Sequence, residues 1–415
     1  MSSGSEVRDA IDAEHAARLP YRWVVLCIAF FAFFITFLDR LAWANASLLA
    51  SKSIGVPLAA LGTFVTAFYI GYVIANFLGG ILTDRLGSRR MLAYALVPLA
   101  LSTFAFGYTT SFAEGLLLQA LMGVFAGADY AACIKIISYW FHSSERGRAL
   151  GLFATAPSVG VAFANGVFPT FLLNTEWRNL YFVLGLATGI VALACILGLR
   201  DAPIPAPTSS TRPSLRLVFG NRTLIVIALA GFGANWGTWG FSFWATALMV
   251  RGHHLSPVAA GTVTMIFGAA AIISKPIFGL ISDLVGGHRR LIVTIDLIAF
   301  AAMLLLFGWQ DRELWFLVVA PFLGITAFVY SPLLAAMITE VAEPRVIGAA
   351  TGSINAFWQL GSVIVPSVVG LVFASTESFQ AAFLVLAAGP LLGASCMLSR
   401  LGRKAPAADI RLGAA

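Results

Sequence analysis

The sequence predicts an all-α membrane protein whose twelve transmembrane helices form two six-helix halves. Hydrophobic residues make up 59% of its 415 residues and charged ones 11%, with a mean hydropathy of +0.89. A water-soluble chain of this length cannot hide that much apolar surface. Twelve apolar stretches follow one another at 22–50, 58–82, 90–110, 113–140, 146–173, 178–199, 222–250, 257–282, 290–309, 313–339, 346–373 and 378–399, lengths that suit bilayer-crossing helices. The halves also repeat: Asp84 and Asp283 lie 199 positions apart, and so do Arg146 and Arg345.

In chain order, residues 1–21 are polar and mix acids with arginines, unlike a cleavable signal peptide, and read as a cytosolic tail. The first bundle is expected over 22–199. Its first stretch is apolar from Val24 to Leu41 except for Asp39-Arg40. Ionisable groups at membrane depth are costly unless they face protein or a watery cavity. Neighbours on a helix point about 100° apart, so these two are poor partners for each other. A structural ion pair is one reading, and a polar pathway through the membrane is the favoured one. Gly71, Gly79, Gly80, Gly123, Gly127 and Gly160 suit close helix packing. Residues 200–221, with Pro203, Pro205, Pro207 and Pro213, have linker composition. The second bundle is expected over 222–399, with a cytosolic tail over 400–415. Gly231, Gly233 and Gly237 would soften the seventh span into a gate.

With both termini inside, the cytosolic segments collect nineteen Lys and Arg, and the opposite side holds only Lys52, Arg178, Arg251 and Arg312. That bias sets the orientation. It also explains the net charge of +7 without nucleic acid as a partner. The expectation is a multi-pass protein of the plasma (bacterial inner) membrane, acting as a monomer in the lipid bilayer. The remaining basic residues, Arg40, Lys135 and Lys275, fall within spans. The four cysteines lie in apolar runs without metal-ligand spacing, so neither a metal site nor a disulfide framework follows. No nucleophile–base pair, zinc motif or phosphate loop appears, and His253-His254 fall in a predicted external loop, so no enzyme is expected.

After the second stretch the chain reads Gly80-Ile-Leu-Thr-Asp84-Arg85-Leu-Gly87-Ser-Arg89-Arg90. This meets the pattern G-x-L-x-D-R-x-G-[RK]-R except at Ser88, and with it the whole chain resembles a major facilitator superfamily transporter. The resemblance implies the major facilitator fold. It also implies a cytosolic latch, formed by this loop, that joins the halves in the outward-open state. Asp84 would then sit near Arg345, and Asp283 near Arg146. The second copy lacks an arginine after Asp283, which implies a weaker latch.

Within the superfamily, Tyr21-Arg22-Trp23-Val24-Val25, Asp39-Arg40, Ser138-Tyr-Trp140-Phe141, Glu145-Arg146, Gly151 and Trp177-Arg178 resemble the anion:cation symporter family. Its members import organic anions, many of them carboxylates, with protons or sodium. Two departures stand out. The asparagine of the family's D-R-x-N is displaced to Asn45. The glutamate usual near the position of Ala126 is missing, with Asp129 about one turn further on. Ser274-Lys275-Pro276 is similar to the oxalate and monocarboxylate branches, where a basic residue before this proline helps bind the carboxylate. Lys275 could otherwise snorkel to the headgroups, about 12 Å away.

A carboxylate crossing a membrane needs a cationic counter-group, and arginine's planar fork binds it bidentately. Arg40 is the first candidate, with Lys275 and Lys135 behind it. Proton coupling needs an acid at membrane depth, which Asp39 or Asp129 supplies; Asp296 lies on a helix peripheral in this fold. Asn45, Asn235, Trp236, Trp239, Tyr330, Asn355, Trp358 and Gln359 fall in helices expected around the cavity, while Phe241 and Trp244 are assigned to packing or lipid anchoring. The expected function is proton-coupled import of a small organic anion by alternating access, with a proton or sodium as coupling ion and no other cofactor. A proton-driven exporter is the alternative, although Ala156-Pro157-Ser-Val-Gly160 lacks the exporters' G-P-x-x-G-G run. A membrane sensor would need more cytosolic surface than the short linker and tails provide.

Overall fold

In lipid, each crossing segment must satisfy its own backbone hydrogen bonds, and a helix does so. The computed structural model describes residues 3–141, 143–200, 220–285, 288–342 and 347–399, leaving out the side chains of 3–19, 77, 80, 81, 84, 143, 144, 146, 147, 279–285, 339 and 347–349. Every regular element among the described residues is helical. The first half comprises α1 (Ser3–Ile54), a 3-10 turn (Leu58–Ala60), α2 (Leu61–Leu86), α3 (Ser88–Phe106), α4 (Phe112–Ala126), α5 (Asp129–Trp140), α6 (Ser143–Phe153), α7 (Ala156–Asn174) and α8 (Trp177–Gly198). The second comprises α9 (Arg222–Gly252), α10 (Pro257–Val285), α11 (Arg289–Gly308), α12 (Glu313–Val341), α13 (Ile347–Thr376) and α14 (Phe379–Leu398).

Among the described residues, fourteen helices make twelve crossings because two spans are broken. The fourth divides at Gly127-Ala128 into α4 and α5. The fifth divides at Ala154-Thr155, just before Pro157, whose missing N–H leaves a carbonyl of the preceding turn unbonded. The stretches expected at 113–140 and 146–173 are thus two helices each. Conversely, α9 runs unbroken through Gly231, Gly233 and Gly237. Those glycines serve contact rather than bending, since a Cβ on Gly233 would come within 2.1 Å of the Gly389 carbonyl oxygen. By length and composition, eleven helical segments among the described residues suit a bilayer crossing. The twelfth crossing, α3, opens on Ser88-Arg89-Arg90, which lowers its apolarity, and it packs along α8 and α4.

Within the first half, α2 packs on α4, and α1 lies among α5, α7 and α8; within the second, α9 lies between α13 and α14, and α10 packs on α12. The halves meet along α7–α10, α2–α13 and α1–α9. Close contacts crowd at the end opposite the α2–α3 turn. There a Cβ on Gly62 would lie 2.0 Å from the Pro366 carbonyl oxygen, and Thr66 donates to Val363 O at 2.7 Å. At the α2–α3 turn itself, Gly87 adopts φ +81°, a left-handed value that favours glycine. Arg89 donates to Ile196 O near the end of α8 (3.0 and 2.6 Å), and Arg290 to Met397 O and Ser399 O at the end of α14 (2.8 and 2.6 Å). An arginine thus lies on a C-terminal helix end in each half, where the dipole favours it.

The α2–α4 contact depends on Gly123, where an added Cβ would meet Phe68 O at 1.8 Å. Gly123→Val is therefore expected to cost about 1–3 kcal/mol or more and to lower Tm in detergent. Gly151→Ala, with nothing within 4 Å of the new Cβ, should leave Tm unchanged.

Candidate functional site

Asp39 and Arg40 leave α1 in different directions. Arg40 turns to the seam between the halves, where it is 4% exposed. Its guanidinium carbon lies 4.2 Å from the ring centres of Phe37 and Tyr72, 5.4 Å from Tyr69, 5.7 Å from Phe68 and 5.9 Å from Trp239 on α9. Aromatic faces attract a cation without occupying its N–H groups. Nε and Nη2, the two nitrogens along one edge of the fork, are buried without a well-formed hydrogen bond to the protein, and the Tyr69 and Tyr72 hydroxyls lie beside the guanidinium. Such an edge matches the two oxygens of a carboxylate.

Asp129 opens α5 at the break in the fourth span and lies within electrostatic reach of Arg40. Its Oδ2 accepts from Thr36 Oγ1 at 2.7 Å, and Oδ1 has no partner. Thr36 Oγ1 also lies 2.9 Å from Phe33 O. A hydroxyl has one proton to donate, so it can serve the carboxylate or the carbonyl. A protonated Asp129 would donate to Thr36 and release its proton to Phe33 O. Asp39 faces the interior of the first half instead: its Oδ2 accepts from Thr188 Oγ1 at 2.9 Å, and Thr103 and Tyr181 face the same carboxyl.

Across the seam, Tyr330 donates to Asn235 Oδ1 at 2.7 Å, Asn235 Nδ2 donates to Gln359 Oε1 at 3.5 Å, and Ser362 donates to the same oxygen at 3.3 Å. Three residues expected at the cavity are thus joined in one polar line, with half-buried Asn355 one turn before Gln359. Trp239 joins Arg40, whereas Trp236 is directed away, donating to Val385 O on α14 at 2.8 Å. Trp358 is bound to Ile227 O, and Phe241 and Trp244 are buried in packing. Asn45 donates to Asn165 of α7 at 3.2 Å. Lys275 does not snorkel: its Nζ donates to Ser158 of the other half at 2.9 Å and lies 4.9 Å over Phe328. Lys135 donates to Thr83 O near the end of α2.

Of the expected latch, Arg85 and Arg90 are exposed and Arg89 is engaged with α8 as described. The side chains of Asp84, Asp283 and Arg146, and the surroundings of Gly80, lie outside the described residues, as does Arg345 altogether. Arg22 and Glu145 form a salt bridge of 2.5 Å between α1 and α6, joining two of the quoted motifs. Sequence reasoning missed Phe37, Phe68, Tyr69 and Tyr72 around Arg40. The α2 residues carried a signal, since Tyr69 and Tyr72 fall at i and i+3, two hydroxyls on one side of an apolar span.

A multi-pass helical membrane protein with a buried cation between two repeated halves has the architecture of a secondary transporter. The family model of the Major Facilitator Superfamily matches residues 25–366 and 227–413, and the chain belongs to that superfamily. It is a transporter rather than an enzyme. It is 23% identical to a probable L-galactonate transporter of Escherichia coli (strain K12), over 87% of this chain and 85% of that one. It is 24% identical to the hexuronate transporter of Bacillus subtilis (strain 168), over 91% and 94%, and 24% to a D-galactonate transporter of Escherichia coli O6:H1, over 92% and 96%. A bacterial homologue of the human lysosomal transporter Spinster, solved inward-facing and unoccupied, shares the fold at TM-score 0.73 and 16% identity, covering 91% of this chain and 94% of that one.

The two tryptophans give a test. Trp239→Ala removes a face of the Arg40 box and is expected to weaken binding of an organic anion about 2- to 30-fold, the range of one desolvated cation–π contact. Trp236→Ala should lower Tm and leave affinity within about twofold. Isothermal titration and thermal melts of the purified protein read both.

Proposed function

We propose that the protein imports a sugar acid together with a proton, and that the substrate carboxylate binds the Nε/Nη2 edge of Arg40. The buried edge of that guanidinium, left without a well-formed hydrogen bond, is the observation that carries the reading. A sugar acid fits the remaining surroundings. Its hydroxyls match the neutral line of Tyr330, Asn235, Gln359 and Ser362, and its C–H faces match the rings of Phe37, Tyr72 and Trp239. The similar proteins named for L-galactonate, D-galactonate and hexuronate support the same class. Lys275, held by Ser158, offers a second cation to a carboxylate or hydroxyl as the halves move.

Asp129 takes the proton in this reading, because it stands beside Arg40 and Thr36 can reverse its hydrogen bond when the acid is neutralised. Arg40 is then released from Asp129's charge to the substrate. The termini lie in the cytosol, as the arginine bias directs, in the inner membrane of a bacterial cell, and the monomer suffices. In that orientation the contacts of Gly62 with Pro366 and Thr66 with Val363 close the outer side. The halves rock about the Arg40 seam to expose it alternately.

In proteoliposomes, uptake of labelled D-galactonate or D-glucuronate should rise as external pH falls, since the proton must load from outside. Arg40→Ala should abolish it, and Arg40→Lys should lower it at least tenfold through loss of the bidentate edge. Asp129→Asn should end proton-driven accumulation and retain substrate counterflow. Undiminished uptake in Arg40→Ala would refute the assignment.

A further inference from the structure

One face of α2 closes the seam from the outer end down to Arg40. Gly62, Thr66 and Tyr69 fall at i, i+4 and i+7 and so share that face, and each meets the second half. Gly62 lies against the Pro366 backbone. Thr66 donates to Val363 O at 2.7 Å, and its Oγ1 lies 2.9 Å from Ser367 Oγ. The Tyr69 ring centre lies 5.6 Å from that of Phe243 and 6.4 Å from that of Trp239, both on α9. At 1.5 Å per residue these contacts descend about 10 Å along α2.

Tyr69 is the innermost of the three and the one that reaches the site. Its ring centre is 5.4 Å from the Arg40 guanidinium carbon, and its hydroxyl lies beside the guanidinium. Arginine only donates, so Arg40 leaves the proton of that hydroxyl unspent. No acceptor among the described residues takes it in a well-formed hydrogen bond. A carboxylate on the Nε/Nη2 edge can accept from the hydroxyl as well, since its two oxygens offer about four lone-pair sites. We propose that Tyr69 couples substrate to the outer gate: its hydroxyl donates to the carboxylate held by Arg40 while its ring is held by Phe243 and Trp239 of the other half. The coupling rests on the assignment of the carboxylate to Arg40 above.

A ligand shifts a conformational equilibrium only through contacts that differ between the two states. With the outer side closed, Tyr69 is fully buried and clamped between Arg40 and the two α9 rings, which fixes the direction of its hydroxyl. When the halves part at that end, Phe243 and Trp239 leave with α9, and the ring is free to turn. The bond to the carboxylate is therefore stronger in the closed state, and an anion arriving from outside draws the gate shut behind it. Phe243, stacked on Trp239 at 5.9 Å, acts through Tyr69 and is a positioning residue.

Ser367→Cys, beside Thr66 in the closure, reports the gate through its rate of labelling by a membrane-impermeant maleimide applied outside proteoliposomes. Saturating D-galactonate should slow this labelling at least fivefold in the otherwise wild-type chain. Tyr69→Phe keeps the ring and should bind D-galactonate about 10- to 100-fold more weakly, the range of one hydrogen bond to a charged group. In that background saturating substrate should no longer slow the labelling, whereas loss of packing alone would leave protection at saturation intact. Phe243→Leu should speed labelling without substrate at least threefold. Labelling indifferent to substrate in the otherwise wild-type chain, protection kept at saturation in Tyr69→Phe, or an unchanged rate in Phe243→Leu would overturn the coupling. Equal binding of D-galactonate by wild type and Arg40→Ala in titration would refute the Arg40 assignment itself, and the coupling with it.

Discussion

An arginine in the middle of a membrane is the constraint on which the rest of this structure depends. On insertion scales a lipid-facing arginine costs about 2.5–3.5 kcal/mol at the helix centre, so α1 must run inside the protein with Arg40 at the seam. The side chain is then surrounded by Phe37, Phe68, Tyr69, Tyr72 and Trp239. Rings compensate charge through their faces, about 0.5–2 kcal/mol each, and leave the donors open. A full complement of carboxylate partners would have settled the charge and closed the binding edge. The site is held ready because its compensation is aromatic.

That choice divides α1 into two chemical faces. One carries Arg40, Phe37 and Thr36 toward the seam and Asp129; the other carries Asp39 toward Thr188, Thr103 and Tyr181. The break at Gly127-Ala128 matters to the first face, since it places Asp129 on the opening turn of α5. Gly123 and Gly127 make the break possible by letting α4 approach the Phe68–Tyr72 stretch of α2, which also carries the rings around Arg40. Packing and charge compensation therefore share the same residues. Along Tyr330, Asn235, Gln359 and Ser362 the wall on the second half carries amides and hydroxyls joined to one another, which fixes their directions.

The fold was legible because its signals are coarse ones: apolar length, arginine placement and a repeat of 199 residues. Arg40 was legible because any charge at that depth demands an explanation. The aromatic box was harder to see, since Phe68, Tyr69 and Tyr72 look like ordinary membrane residues until α2 is brought against α1. Trp236 and Trp239 show the limit on one helix. They are three residues apart and identical in kind, yet one meets Arg40 and the other reaches α14, because only tertiary packing sets the rotation of α9. The separation of Asp39 from Arg40 followed from helix geometry, but what each faced did not. The two broken spans escaped notice because Gly127 and Pro157 are tolerated within membrane helices and mark a break only in context.

The central claim is that a carboxylate completes Arg40. A structure of the protein bound to D-galactonate measures this directly. The carboxylate oxygens are predicted about 2.7–2.9 Å from Nε and Nη2 of Arg40, the distance of a charge-assisted pair, with sugar hydroxyls toward Asn235 and Gln359. A carboxylate seated elsewhere, with that edge of Arg40 still unpaired, would contradict the account.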